Sequence, residues 1–255
     1  MSSPTWTPDA LSSEARAYSG TAWRIVEAQH YVSTMKLVDT VAEQDLLEGL
    51  LETTKPPIPP ECAGLDFLLA TPFRYDSVYP SGSRFRRAGR TPGVFYAAEA
   101  PETAVAEIAF YRLLLHCETP TLPFPSNAAE FTGFSISVAA SRALDLTTAP
   151  FAAERATWTA PTEYAACQAL ADQARSASIQ TIRYQSVRDP RGGANLALLS
   201  CTAFASPKPL DRQTWRIRIA ETGVQARREF PSLALDFSPT DFAADSRIAA
   251  RFRHG

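Results

Sequence analysis

The stretch 82–115, GSRFRRAGRTPGVFYAAEAPETAVAEIAFYRLLL, constrains the fold more than any other part of the chain. It reads as turn, strand and helix in direct succession. Gly82-Ser83-Arg84-Phe85 is a turn that carries a cation. Gly93-Val94-Phe95-Tyr96-Ala97-Ala98 is a short run of apolar, aromatic and β-branched residues opened by glycine, the signature of a buried strand. Pro101 then falls where a first helical position belongs, with Glu102 beside it in the first turn. In the helix that follows, the residues three and four places from Glu107 are Thr103, Ala104, Phe110 and Tyr111, with Leu114 a further turn on. Glu107 therefore lies on the apolar face.

An ionised carboxylate on that face is costly unless it is paired or opens into a cleft. Two readings follow. Glu107 is a boundary residue that reaches water or an arginine, or it is an active-site carboxylate on a rigid helix behind a strand carrying Tyr96.

A chain of 255 residues holds one large domain or two small ones and can bury a sizeable core. A formal net charge of −2 gives no strong pull toward nucleic acid or anionic membrane. No run is long and apolar enough to span a membrane, and the N-terminus shows no secretory signal. Cys62, Cys117, Cys167 and Cys201 stand far apart, so reduced thiols in a cytoplasmic protein are the expectation. His30, His116 and His254 form no ligand pattern, and no metal site is expected.

Taken in order, the chain alternates helix and strand signals. A helical turn is expected around 13–16 and a strand over 21–27 that carries Arg24. That arginine either faces solvent on an edge strand or clamps a phosphate or carboxylate. Leucines at helical spacing predict an amphipathic helix over 35–54, ended by the proline-rich connector 55–60. Too little core precedes the connector for a separate domain. The expectation is one domain over 1–255, with a core of about 21–230, an insertion at 35–60 and a C-terminal helix over 238–255. A short apolar run at 65–69 leads into Thr71-Pro72-Phe73-Arg74-Tyr75. Strands are expected over 131–138, 143–146 and 179–184, and a helix opened by Pro161. The stretch 184–198 reads as strand, loop, strand. Its Ser186 is either a strand-end serine satisfied by backbone or part of a site. A hairpin turns at Glu221-Thr222-Gly223. Ser238-Pro239-Thr240-Asp241 reads as a capped helix start. No phosphate-binding glycine loop opens a helix, and no Gly-x-Ser-x-Gly elbow is present.

Three pieces, in this order, carry a resemblance: Trp23-Arg24-Ile25; Gly82-Ser83-Arg84-Phe85 with Phe95-Tyr96-Ala97 and Glu107; and Tyr184-Gln185-Ser186-Val187 with Asn195-Leu196. Together, from about Arg24 to about Ala203, they resemble the RES domain, named for an Arg, a Glu and a Ser. The matching residues are Arg24, Glu107 and Ser186. The chain differs from many members in its 35–60 insertion and in Gly82-Ser83 where they carry a double glycine.

The resemblance implies an α+β, ADP-ribosyltransferase-like fold, a bent and split β-sheet core with surrounding helices. It implies a toxin of a bacterial toxin–antitoxin pair, partnered by an Xre-type antitoxin, that cleaves the nicotinamide–ribose bond of NAD by hydrolysis or phosphorolysis. NAD enters as substrate, with no metal. The implied catalytic set is Glu107, Arg24 and Ser186. The implied NAD-binding set is Arg24, Arg84, Ser83, Tyr96 and Asn195. Three alternatives stay open: transfer of ADP-ribose to a protein, a non-catalytic interaction module, and a glycosidase-type hydrolase using Glu107 with a second carboxylate. A homodimer is also open.

Overall fold

The computed structural model describes residues 6–28, 37–74, 82–89 and 91–252. Within them the chain forms eight strands: β1 (Arg16–Glu27), β2 (Phe95–Ala98), β3 (Ala129–Asp145), β4 (Thr181–Gln185), β5 (Ala194–Leu198), β6 (Arg212–Ala220), β7 (Gly223–Arg228) and β8 (Leu233–Phe237). Seven α-helices accompany them: α1 (Pro8–Glu14), α2 (Val41–Thr54), α3 (Phe67–Ala70), α4 (Pro101–Glu118), α5 (Arg155–Trp158), α6 (Ala165–Ser176) and α7 (Ser246–Phe252). The fold is α+β, as expected. No described helix is long and apolar enough to cross a membrane.

The sheet runs β1-β2-β5-β4-β3-β6-β7-β8, and an added β1–β3 pairing bends its first five strands into a ring. β3 makes this possible. One edge pairs with β1 from Phe131 to Ala143. The other edge takes β6 over its first half and β4 over its last residues. The two strand signals at 131–138 and 143–146 are therefore one strand. The intervening Ala-Ala-Ser-Arg lapses in apolar alternation but holds no Gly or Pro to break it.

Phe95, Phe134, Ile136, Leu196 and Leu198 are buried together against this ring. α4 covers a second core with Phe110, Leu113, Trp215, Ile217, Phe237 and Phe242. α6 and α1 close a third over Leu144, Ile182 and Tyr184. Full burial of one such aromatic or leucine contributes about 1.5–3 kcal/mol, so α4 is held rigidly.

Several elements differ from expectation. β1 begins at Arg16 because β3 pairs that far along it. α2 begins only at Val41, where Thr40 accepts from the Glu43 amide at 3.2 Å and Glu43 accepts from the Thr40 amide at 3.0 Å, a capping box. The expected start at Met35 lies outside the described residues. No residue of α2 is buried. The run at 65–69 passes into α3 and a 3-10 turn, Thr71–Phe73, while Tyr75 lies outside the described residues. α6 starts at Ala165, because Tyr164 turns back and donates to the Pro161 carbonyl at 3.1 Å. Ser238 and Asp241 do form a capping box, but over a 3-10 turn, Pro239–Phe242. α7 is a separate element after it, and 253–255 are outside the description. β8 was not expected at all.

Candidate active site

Glu107 sits half-buried in the second turn of α4 and lines a cleft of ≈ 620 Å³. Its Oε1 accepts two short hydrogen bonds, from Ser186 Oγ at 2.7 Å and from Asn195 Nδ2 at 2.6 Å. Ser186 directly follows β4 and Asn195 lies near the start of β5, so the antiparallel pairing of those strands brings both to the helix. Ser186 Oγ itself accepts from the amides of Arg188 at 3.2 Å and Asp189 at 3.0 Å. With its acceptor positions taken, its proton has one direction left, toward Glu107. Oε1 is thereby fixed as an acceptor. Oε2 takes no hydrogen bond from a described residue. The Asn195 amide is oriented by the same carboxylate, and its Oδ1 is buried with no partner among the described residues.

The loop between β4 and β5 is pressed against the first turn of α4. Thr103 Oγ1 donates to Asp189 Oδ2 at 2.7 Å. A Cβ on Gly193 would fall 2.1 Å from Thr103 Oγ1 and 2.7 Å from Asp189 Oδ2, so only glycine fits this approach. The Gly193 carbonyl accepts from the Ser186 amide at 2.8 Å. Burial alone would push the Asp189 carboxyl up. Hydrogen bonds from Thr103 and Arg191 outweigh it and hold the group below its ordinary value.

Arg24 reaches the same cleft from β1. Its Nη1 donates to the Tyr96 carbonyl at 2.9 Å, and its guanidinium lies 4.8 Å from the centre of the Phe95 ring. No carboxylate pairs with it among the described residues. Desolvation pulls its pKa down to about 10, which still leaves it a cation at neutral pH.

Ser83 and Tyr96 are joined: Oγ lies 2.8 Å from the phenol oxygen, which also accepts from the Phe85 amide at 3.0 Å. Arg84 reaches the cleft wall, but its Nη1 and Nη2 donate to the carbonyls of Trp158 and Ala160 at 2.8 and 2.9 Å. Its geometry ties the 83–86 turn to the end of α5 and the residues just after it. All the residues expected at a site, Arg24, Ser83, Arg84, Tyr96, Glu107, Ser186 and Asn195, thus line or adjoin one cleft.

Sequence reasoning missed the aromatic lining, Trp23, Tyr111, Tyr164 and Tyr184, and the cation Arg247 as cleft residues; Arg188 lines the cleft as well. Tyr111 stood out only as a helical neighbour of Glu107, and nothing in the sequence joins Tyr164 to it. Burial, and then the charge of Glu107, hold the Tyr184 phenol well above its ordinary range, so it stays neutral. A smaller cavity of ≈ 280 Å³ lies near Tyr18, Asp145 and Arg183. Arg183 is already matched there, with Glu99 at 2.7 Å and Asp145 at 3.2 Å. Among the described residues no group of three or more His, Cys, Asp or Glu side chains is placed to hold a metal ion.

A comparison with curated proteins gives no match. Among solved structures, the MbcT–MbcA toxin–antitoxin complex of M. tuberculosis is similar at 15% identity, with a TM-score of 0.44, covering 92% of this chain and 94% of that one. The family model for the RES domain matches residues 58–220, which include Ser83, Arg84, Tyr96, Glu107, Ser186 and Asn195 but not Arg24. That match spans more than half of the sequence, and the chain belongs to the RES domain family.

Proposed function

We propose that this chain is the toxin of a bacterial toxin–antitoxin pair and destroys NAD by breaking its nicotinamide–ribose bond, with water or phosphate as acceptor. The observation that carries the reading is the pairing of two groups across one cleft. One is a carboxylate held by Ser186 and Asn195 on a single oxygen. The other is a desolvated cation without a carboxylate partner among the described residues, Arg24.

The chemistry suits them. As the C1′–N bond of NAD breaks, its electron pair leaves with the pyridinium nitrogen, and neutral nicotinamide departs without an acid. The ribosyl carbon becomes oxocarbenium-like, as in glycoside hydrolysis. Glu107 Oε2 would face that developing charge or accept from a ribose hydroxyl, already oriented at no cost during reaction. Water or phosphate then bonds to C1′ through oxygen in place of the broken C1′–N bond, and attacking water gives its proton to solvent. Arg24 would hold the pyrophosphate, for which a guanidinium fork is well shaped. Arg84 would shape the wall through the Ser83–Tyr96 contact. The aromatic lining offers faces for the flat rings, and ≈ 620 Å³ is ample for a small organic ligand. The Xre-type antitoxin known for the family enters as the partner in this proposal.

The test is incubation of the purified chain, free of antitoxin, with NAD, with and without phosphate and with cell extract, followed by chromatography. Free nicotinamide with ADP-ribose, or with its phosphorylated form when phosphate is added, is expected. NAD recovered intact under all conditions would overturn the reading. ADP-ribose found bound to extract protein would redirect it to ADP-ribose transfer.

A further inference from the structure

Beyond the family match, which ends at residue 220, the chain continues through β7, β8 and α7. Asp245 stands just before α7 and is fully buried. It caps that helix: Oδ1 accepts from the Arg247 amide at 3.1 Å. Arg247 closes on it again through Nε at 2.9 Å and Nη2 at 2.8 Å. A cap needs nothing more. Yet Oδ2 also meets Arg188 Nη1 at 3.3 Å, and Arg188 is only 3% exposed.

Arg188 is the residue whose amide donates to Ser186 Oγ. Its side chain is clamped on four sides. Asp245 holds one end, and Nη2 donates to the Pro161 carbonyl at 2.6 Å and to the Tyr164 hydroxyl at 3.2 Å. The guanidinium carbon lies 3.6 Å from the centre of the Phe110 ring, on α4 one turn beyond Glu107. Burial alone would push the Asp245 carboxyl up, but Arg247 and then Arg188 outweigh it and keep the group below its ordinary value.

We infer that Asp245 is a positioning residue of the site. It fixes the Arg188 side chain, which fixes the backbone at 188 and 189, which sets the Ser186 hydroxyl that orients Glu107. The C-terminal segment outside the matched region is then part of the catalytic apparatus of this chain. The inference rests on the proposed NAD cleavage only for its consequence in rate; the positioning itself is independent of substrate.

Two measurements on Asp245→Asn separate the two. Asparagine can keep the helix cap through Oδ1 but removes the charge that faces Arg188. The first measurement is amide hydrogen exchange without NAD. The amides of Arg188 and Asp189 are expected to lose protection by tenfold or more, while those of β6 and β7 keep theirs. The second is NAD turnover. A tenfold or larger fall in kcat with KM near the parent value is expected, because Arg24 is untouched. Asp245→Glu, which restores the charge, should recover part of both. If Asp245→Asn does not fold, Arg188→Met replaces it for the exchange measurement, since Asp245 then keeps Arg247 and is not left as a lone buried charge. Unchanged protection at 188 and 189 in a folded variant overturns the inference. So does a parent-like kcat in Asp245→Asn when the parent cleaves NAD. A parent that cleaves no NAD defeats the proposed reaction, and the exchange result alone then decides the positioning.

Discussion

The two sides of the cleft are built on opposite terms. On the Glu107 side most polar groups are answered from within the protein, Glu107 Oε2 and the buried Asn195 Oδ1 being the exceptions among the described residues. Ser186 is fixed by two amides, Asp189 by Thr103 and Arg191, and Arg188 by Asp245. On the Arg24 side a cation sits half-buried with a carbonyl and a ring for company. Burial of an unmatched cation opposes folding, whereas a matched network favours one geometry. The difference teaches where to look for a ligand's charge. On the proposed reading the answered side would set direction, and the unanswered side would supply attraction.

The sharpest break in that comparison is Glu107→Gln. The amide oxygen can still accept from Ser186 and Asn195, so the surrounding network survives. The charge facing the cleft does not. Loss of such an electrostatic group typically costs about 10²–10³-fold in kcat, and that fall is expected here with a melting temperature within a few degrees of the parent. Turnover measured alongside thermal unfolding checks it; parent-like turnover in a folded variant removes Glu107 from the chemistry.

Arg24→Met probes the opposite side and should split affinity from stability. A charge-assisted contact to phosphate is worth about 1.5–3 kcal/mol, so NAD binding measured by calorimetry in the Glu107→Gln background should weaken by about tenfold or more. Thermal stability should hold or rise, since the variant removes a desolvated cation with no carboxylate partner among the described residues. If stability falls as steeply as affinity, Arg24 is a structural pillar and the contrast between the two sides fails.

How much of this was legible follows the same division. The strand–Pro–helix junction, the apolar-face placement of Glu107 and the hairpin at 184–198 could all be read, because each depends on residues close in sequence. The resemblance assigned Glu107, Ser186 and Asn195 to one site, but the meeting of Ser186 and Asn195 on one carboxylate oxygen was not expected, since it joins α4 to residues far along the chain. Asp245 was out of reach. Its partner lies on another element, and its local pattern, an acidic residue ahead of a short helix, reads as a cap and nothing else. The carbonyl partners of Arg84 were out of reach for a related reason. An arginine in a glycine-led turn suggests an anion, but tertiary packing supplied the carbonyls of Trp158 and Ala160 instead.

The answered side also carries a pH signature of smaller size. Asp189 and Asp245 both titrate below the ordinary aspartate value of 3.8 in the folded chain. Each therefore contributes stability that is fully present above that value and is lost as pH falls through the lower folded one. Stability should be flat from neutral pH down to about 5 and decline below about 4. Asp245→Asn should flatten the decline. Denaturant unfolding at a series of acid pH values measures it, and an equal slope in parent and variant would mean that Asp245 contributes nothing to the acid limb.

The smallest effect is expected where the sequence signal was among the clearest. The leucines of α2 keep helical spacing, yet Leu46 is 65% and Leu50 56% exposed, while the α4 leucine Leu113 is wholly buried. Spacing reports a helix; it does not report what the helix packs on. Glu43 completes the cap, and Glu52 pairs with Arg74, so α2 is held at its two ends by polar contacts rather than by its apolar side chains. Leu46→Lys together with Leu50→Lys should then change the stability of the isolated chain by less than about 1 kcal/mol, the range of ordinary surface substitutions. Leu113→Ala, the same residue type in the core under Glu107, should cost about 2–5 kcal/mol. Denaturant midpoints of the two variants make the comparison directly. A loss from the α2 pair approaching that of Leu113→Ala would show that α2 contributes packing to the fold, and the apolar stripe would have to be counted with the core after all.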